Sequence, residues 1–244
     1  MATLLERFGT WMYRFELPDG SVTPLHQSFL DDVHKTRAAM IFPLLDQLVS
    51  DWSGVRCLDI ACNEGFFSFE VAKRGAREVV GFDARPVVIE KAEYVRTAQA
   101  HNNVAFSVFD LEQLGPEWKG RFDVVLCLGI VYHLENPIGC LRRVRSVTEK
   151  VCVIDTQLNR FAGEIETPEG RAASVQRRPW ALSVVDEPVG ELSGIQPVSL
   201  VPNHRAMLRI LEAVGFSRVL QVMPPTDAYE QYANFDRAVY FAFP

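Results

Sequence analysis

Short apolar runs alternate with amphipathic segments through the middle of the chain. Apolar runs bounded by turn residues are typical of buried strands, and apolar positions every three or four residues are typical of helices. The predicted strands are Val55–Ile60, Glu78–Asp83, Asn103–Phe109, Phe122–Leu128 and Val151–Asp155. The predicted helices between them are Phe66–Arg74, Pro86–Gln99 and residues 136–147, and the connection 111–121 holds only a turn of helix. This alternation predicts a parallel sheet with helices on both faces.

The end of the chain has a different rhythm. Asn203 is a capping residue before an amphipathic stretch, His204–Val214, which Gly215 ends. Two strand-like runs follow, Ser217–Met223 and Arg237–Phe243, with a loop between them. Successive strands joined without a crossover helix pair antiparallel. We therefore predict a terminal hairpin that extends the five parallel strands.

Two segments lie outside this alternation. Residues 1–50 hold an aromatic, irregular start and a helical pattern from about His26 to Val49, which predicts an N-terminal helical arm. Residues 156–200 follow the fifth strand and are rich in proline, glycine and arginine. A long connection from the carboxyl end of a parallel strand passes over the ligand crevice of an open sheet. We expect a substrate lid there, because Trp180, Leu182 and Val184 give it apolar side chains to bury; the alternative is a surface loop.

Composition limits the compartment and the partners. The chain has 244 residues and a formal net charge of -6, which fits one large α/β domain, alone or with a small appendage. The acidic balance counts against binding of nucleic acid, because neutralising phosphates requires clustered lysine and arginine. The start of the chain has no basic segment followed by an apolar one, and no run reaches the roughly 18 apolar residues of a membrane span. We expect a cytoplasmic protein that does not enter a membrane.

The cysteines favour the same compartment. Five are present and none forms a Cys-x-x-Cys pair, so the sequence suggests neither a zinc site nor a redox motif. An odd number of cysteines, three of them within predicted strands, is typical of buried, reduced thiols. We expect no metal in the site.

The turn after the first predicted strand carries candidate chemistry. Asp59 lies where the strand ends, and the turn runs from Ala61 to Gly65. Ligands bind where strand ends and helix N-termini expose backbone N–H groups. Ala61 and Gly65 are small, and Asn63 tolerates a positive φ angle better than most residues. The alternative interpretation is an ordinary strand-to-helix turn.

Further landmarks give the chain a resemblance to the class I S-adenosylmethionine-dependent methyltransferases. Asp59, Ala61, Asn63 and Gly65 occupy the positions of the family's Asp-x-Gly-x-Gly-x-Gly motif, with two glycines replaced. Asp83 ends the second strand 24 residues after Asp59. The match covers about residues 53–155 and 202–244. It implies a Rossmann-like, seven-stranded, mostly parallel sheet in the order 3-2-1-4-5-7-6, within a methyltransferase domain that spans residues 51–244.

The resemblance also implies where S-adenosylmethionine binds. An acid at the end of the second strand accepts the ribose hydroxyls, which is the role of Asp83. Asp110 would bind the adenine amino group, and Leu111 would offer its backbone N–H. The end of the fourth strand would lie against the methionine part. The implied cofactor-binding residues are Asp59, Ala61, Cys62, Asn63, Gly65, Phe67, Asp83, Ala84, Arg85, Asp110, Leu111, Leu128, Gly129 and Tyr132.

One segment resembles a narrower subgroup. The run from Leu128 to Pro137, with Leu17-Pro-Asp-Gly20 and Thr23-Pro24 upstream, is similar to a group that contains the tRNA wobble-uridine carboxymethyltransferase and many small-molecule methyltransferases. In the tRNA enzymes, further basic residues select a carboxylated form of the cofactor, and no such set is evident in this sequence. We therefore expect methyl transfer to an oxygen or nitrogen of a small molecule in specialised metabolism, with S-adenosylhomocysteine as product. The alternative is a tRNA-modifying enzyme.

Few residues can act as a general base for an acceptor that carries a proton. His133 follows Tyr132 at the end of the fourth strand, and His204 begins the helix after the insertion. The structural alternatives are a histidine that bonds a backbone carbonyl and an exposed first-turn residue, respectively. In the insertion, three arginines are candidate ligands for a carboxylate or phosphate on the acceptor. They are Arg171, Arg177 and Arg178.

Two other classes of function stay open. A nicotinamide-dependent oxidoreductase normally has Gly-x-Gly-x-x-Gly after the first strand, and one common class has Tyr-x-x-x-Lys; this chain has neither. A cofactor-binding protein without catalysis is compatible with the same motifs. The sequence also leaves a homodimer open.

Overall fold

The computed structural model describes residues 3–159, 180–187, 190 and 193–244. The strands are β1 (Arg56–Ile60), β2 (Glu78–Asp83), β3 (Val104–Val108), β4 (Phe122–Leu128), β5 (Thr148–Gln157), β6 (Leu182–Asp186), β7 (Val198–Pro202), β8 (Arg218–Val222) and β9 (Arg237–Phe243). The α-helices are α1 (Leu4–Phe8), α2 (Phe29–Leu48), α3 (Phe66–Lys73), α4 (Pro86–Ala98), α5 (Pro137–Val147), α6 (His204–Ala213) and α7 (Glu230–Ala233). Among these helices, none is both long enough and apolar enough to cross a bilayer.

Seven strands form one sheet in the order β3-β2-β1-β4-β5-β9-β8. Strands β1 to β5 pair in parallel, and β9 pairs antiparallel with both β5 and β8. This arrangement confirms the predicted α/β class and the predicted strand order, in which the last strand of the chain lies between the fifth parallel strand and the other strand of the terminal hairpin. Two buried apolar clusters lie against the sheet. All five cysteines are buried and free, as expected for reduced thiols.

The structure differs from the predicted elements in three places. A second, two-stranded antiparallel sheet, β6–β7, lies inside the insertion, where no strand was predicted. Helix α2 begins at Phe29 and not near His26, because the backbone N–H of His26 donates to the Trp11 carbonyl at 2.7 Å. The loop between β8 and β9 contains the short helix α7.

A buried carboxylate holds the N-terminal arm onto the domain. Glu64 accepts the backbone N–H groups of Met12 and Tyr13 at 2.9 and 3.0 Å. The Lys91 ammonium lies 3.2 Å from the same carboxylate and donates to the Thr10 carbonyl at 2.6 Å. Glu64 is fully buried, and burial raises its pKa. A buried ion pair is costly to break because each charge left alone is desolvated without compensation.

Replacing Glu64 should therefore loosen the arm. We expect Glu64→Ala to lower the free energy of unfolding by about 3–5 kcal/mol, because it leaves the Lys91 ammonium buried without a counter-charge and two backbone N–H groups buried without an acceptor. Urea unfolding measures the change. Glu70→Ala is the control, since it removes partly exposed pairs with Lys73 and Arg74 and should cost about 1 kcal/mol or less. Equal small effects of the two substitutions would show that Glu64 does not hold the arm.

Candidate functional site

The carboxyl ends of the parallel strands open into a cavity of about 530 Å³. Loops after β1, β2, β3 and β4 form its floor, α2 and the arm form one wall, and the β6–β7 hairpin covers it. Cavities of roughly 300–1,000 Å³ are typical of sites for small molecules and cofactors. Of the residues predicted from the sequence, the cavity brings together Ala61, Asn63, Asp83, Ala84, Arg85, Asp110, Leu111, Leu128, Gly129, Tyr132 and His133.

The turn after β1 has an unusual backbone. Ala61, Asn63 and Gly65 all have positive φ angles, of 53°, 52° and 81°. A left-handed conformation costs an alanine about 1–2 kcal/mol, and strain of this kind collects at binding sites. At Gly65 a Cβ atom would come within 2.5 Å of the Phe106 ring, so only glycine fits. Asn63 therefore adopts the left-handed conformation expected of it, in place of one of the family's glycines.

Asp83 lies at the end of β2 with both carboxylate oxygens engaged. Oδ2 accepts the backbone N–H of Asn63 at 3.1 Å, and Oδ1 accepts that of Arg85 at 3.0 Å. The Arg85 guanidinium forms a fork on the same carboxylate, at 3.0 and 3.1 Å. The two backbone bonds aim the carboxylate, while the guanidinium occupies the positions that ribose hydroxyls would take. A ribose on Asp83 must displace the Arg85 side chain, which is partly exposed.

Asp110 lies at the end of the loop that follows β3. Its side chain accepts the backbone N–H of Glu112 at 2.9 Å, which starts a short 3₁₀ turn at Leu111. Asp83 and Asp110 both line the cavity, as the assignment of ribose and adenine to them requires.

Buried polar atoms at the cavity that lack a hydrogen-bond partner among the described residues include Asn63 Oδ1 and His34 Nδ1. The His34 ring stacks on Tyr13 with 4.0 Å between centroids, and burial holds its pKa well below the usual value. Buried polar groups without a partner are costly, and a ligand with polar groups would satisfy them. The donor and acceptor set therefore fits a nucleoside cofactor with an amino acid tail.

Five of the predicted site residues do not line the cavity. Asp59 is buried behind the turn and accepts the Ser68 hydroxyl at 2.6 Å. His204 bonds through Nδ1 to the Tyr240 hydroxyl at 2.7 Å, and burial lowers its pKa. This position keeps His204 outside the cavity, and we assign it no part in methyl transfer. The others are Cys62, Gly65 and Phe67.

A buried charged cluster on the cavity wall was not predicted from the sequence. Asp155, at the end region of β5, accepts bonds from Arg37 on α2 and Arg237 on β9, at 3.1 and 2.6 Å. The Tyr232 hydroxyl donates to the same carboxylate at 2.7 Å, and Arg237 also donates to the Tyr132 hydroxyl at 3.0 Å. Two guanidinium groups thus share one carboxylate. In the sequence, the one indication of this cluster was Asp155, an acidic residue at the end of a predicted strand.

His133 lies in the 3₁₀ turn Val131–His133 that follows β4. Its Nδ1 is 2.8 Å from Glu187 Oε1, on the hairpin insertion. Burial lowers the pKa of His133 below its usual value, although Glu187 opposes this shift. A neutral imidazole at the mouth of a cavity can accept a proton. Arg171, Arg177 and Arg178, the candidate anion ligands of the insertion, lie outside the described residues.

The described part of the chain contains no group of three or more His, Cys, Asp or Glu side chains placed to hold a metal ion.

Residues 51–167 match the family model of a methyltransferase domain. The chain is 24% identical over 198 residues to a tRNA U34 carboxymethyltransferase of Helicobacter pylori strain G27. The alignment covers 79% of this chain and 66% of that protein. It is 32% identical over 147 residues to a ubiquinone biosynthesis O-methyltransferase of Dechloromonas aromatica strain RCB, covering 58% of this chain and 57% of that protein. The match thus spans 66% of the length of the first of these relatives and 57% of the second.

Solved structures share the fold over nearly the whole chain. The N-terminal domain of EvdMO1, crystallised with SAH and D-fucose, aligns with a TM-score of 0.72 at 21% identity and covers 97% of this chain and 92% of its own. The magnesium protoporphyrin IX methyltransferase ChlM of Synechocystis PCC 6803, with bound SAH, has a TM-score of 0.58 at 19% identity, with 89% and 87% covered. Both likenesses concern the fold.

Burial of Asp59 makes stability depend on pH. Desolvation raises its folded-state pKa from 3.8 to about 7, partly offset by the Ser68 hydrogen bond. The folded protein therefore binds more protons than the unfolded chain between these values, and the stability of the folded state falls as pH rises through this window.

Asp59→Asn should remove this dependence and still accept the Ser68 hydroxyl. We expect it to raise the thermal unfolding midpoint at about pH 8 and to change it little at about pH 4. Scanning calorimetry at the two pH values checks this. Asp123→Asn is the control of opposite sign, because the pKa of Asp123 is lowered and its charge stabilises the folded protein. A midpoint of the Asp59 variant that changes equally at both pH values would contradict the account.

Proposed function

We propose that this chain, which has the fold of the class I S-adenosylmethionine-dependent methyltransferases and a methyltransferase domain over residues 51–167, methylates a small molecule. The methyl group would pass from S-adenosylmethionine to an oxygen or nitrogen of the acceptor. One observation supports the proposal: Asp83 and Asp110, the proposed nucleoside ligands, line the same cavity as His133, the proposed base.

The cofactor would supply an electrophilic methyl group on a positively charged sulfur. Asp83 would accept the ribose hydroxyls once Arg85 has moved aside, and Asp110 would accept the adenine amino group. Asn63 and His34 would offer their unpaired atoms to the same ligand. Holding the acceptor in line with the sulfur–methyl bond, away from water, supplies much of the rate enhancement. His133 would take the acceptor's proton through Nε2, because Nδ1 is engaged by Glu187.

The arm and the hairpin enclose the cavity, which favours a small molecule as the acceptor. The cavity at the strand ends is also lined by Met12 and Tyr13 from the arm and by hairpin residues that include Val185 and Glu187. A cavity enclosed from two sides suits a small molecule better than a folded RNA. The net charge of -6 favours the same conclusion.

Loss of the proposed ribose ligand should weaken cofactor binding. We expect Asp83→Ala to reduce the affinity for S-adenosylhomocysteine by about 1–3 kcal/mol, because the ribose hydroxyls lose a charged acceptor. Isothermal titration calorimetry measures the affinity. Asp51→Ala is the control, since Asp51 is exposed and its side chain accepts the backbone N–H of Ser53. Unchanged affinity in the Asp83 variant would contradict the ribose assignment.

A second candidate function, carboxymethyl transfer to tRNA, has one observation in its favour. Arg37 and Arg237 share a single carboxylate beside Tyr132, so the wall carries an excess of buried positive charge that a carboxylate on the ligand would balance. The relative from Helicobacter pylori bears the name of a tRNA U34 carboxymethyltransferase.

Labelled cofactor separates the two candidates. The protein is incubated with methyl-labelled S-adenosylmethionine and a cell extract, which is then fractionated into small molecules and tRNA. We expect label in the small-molecule fraction, and less of it with Asp83→Ala. Transfer to tRNA in a parallel incubation with labelled carboxylated cofactor would favour the second candidate. Label in neither fraction with either cofactor would contradict both.

A further inference from the structure

The hairpin insertion is attached to the end of β4 by its backbone. Leu200 on β7 donates its N–H to the Leu134 carbonyl at 2.9 Å, directly after the turn that carries His133. At the other end of the hairpin, the Glu187 N–H donates to the Pro197 carbonyl at 2.9 Å. These two bonds fix where residue 187 lies relative to His133.

The Glu187 carboxylate is held in a defined position. Its Oε1 accepts the backbone N–H of Gly194 at 2.8 Å and lies 2.8 Å from His133 Nδ1. A Cβ atom at Gly194 would come within 2.9 Å of the His133 carbonyl oxygen, so the absence of a side chain permits this close approach. The Glu187 side chain is 9% exposed and that of His133 is 16% exposed. A hydrogen bond shielded in this way orients its partner more firmly than one at the open surface.

Burial of His133 favours its neutral form and lowers its pKa. Glu187, from the hairpin, favours the protonated ring, whereas Arg237 on β9 and Arg85 after β2 oppose it. The Tyr132 ring packs beside it at 4.1 Å. A neutral imidazole carries one N–H, and the hydrogen bond at one nitrogen decides which nitrogen keeps a free lone pair. A carboxylate can only accept, so the proton must be on Nδ1.

We propose that Glu187 is a positioning residue, which fixes His133 in the Nδ1–H form so that Nε2 accepts the proton of the acceptor. This inference rests on the proposed function, in which His133 is the base. As the acceptor's oxygen or nitrogen forms its bond to the methyl carbon, the carbon–sulfur bond breaks with its electron pair going to sulfur, and the acceptor's proton moves to Nε2. Glu187 then balances the imidazolium charge. The insertion thereby supplies part of the proton-transfer machinery as well as covering the cavity.

The imidazole can be observed directly, without knowing the acceptor. Protein labelled with ¹⁵N-histidine is titrated in the NMR spectrometer, and His133→Ala identifies the signals of His133. We expect the wild type to show the Nδ1–H form alone at neutral pH. Glu187→Ala should shift the population toward the Nε2–H form and lower the pKa of His133 further, because the carboxylate that raises it is gone. Asp186→Ala, the neighbouring acid on the same hairpin, should change neither.

Glu187→Gln is a second variant that tests the proposal if the alanine variant does not fold. Its amide oxygen can accept both N–H groups, so we expect the Nδ1–H form to persist while the pKa of His133 falls. A pKa of His133 that is unchanged in Glu187→Gln, or an unchanged tautomer in Glu187→Ala, would overturn the proposal.

The labelled-cofactor assay completes the test. Transfer by Glu187→Ala should slow by about tenfold or more, whereas its affinity for S-adenosylhomocysteine should match the wild type. A tautomer change with unaltered transfer would also overturn the positioning role. Failure of the wild type to label any fraction would instead count against the proposed function, and the NMR result would still decide whether Glu187 sets the form of His133.

Discussion

The parallel pairing of β1 with β4 is the constraint on which the site depends. Leu58 pairs with Val125 and Ile60 with Cys127, although β2 and β3 lie between the two strands in sequence. After β1 the chain builds the sheet in one direction, and after β4 it builds the sheet in the other. The connections therefore diverge, and a crevice opens between them at the carboxyl ends of the strands. Asn63 and Asp83 lie on one side of this crevice, and Gly129 and His133 lie on the other.

Two peripheral segments turn the crevice into an enclosed cavity. The arm is held by Glu64, whose buried carboxylate binds backbone and ammonium groups at once. The hairpin is held by a backbone bond from Leu200 to Leu134, in the segment after β4, and by the contact between Glu187 and His133. Both segments contribute polar side chains to the cavity, so they shape its chemistry as well as its walls. Covering a site in this manner strengthens the electrostatic interactions inside it, because water is excluded.

The parts of the site that were predictable depend on local sequence. Asp83 and Asn63 could be recognised because a strand end and its turn have a characteristic pattern within a few residues. Arg237 and Asp155 are 82 positions apart, and His133 and Glu187 are 54 positions apart. No local pattern encodes such pairs, since only the tertiary fold brings them together. The hairpin strands β6 and β7 were missed for a related reason: they are short and partly exposed, and they pair with each other and not with the main sheet.

The central claim is that a nucleoside cofactor binds on Asp83 and leaves the space next to His133 for the acceptor. A crystal structure with S-adenosylhomocysteine tests this most directly. The account predicts ribose hydroxyls on the Asp83 carboxylate, the Arg85 guanidinium displaced from it, and open volume between the sulfur atom and His133 Nε2. A ligand bound elsewhere, or one that leaves the bonds between Arg85 and Asp83 intact, would contradict it.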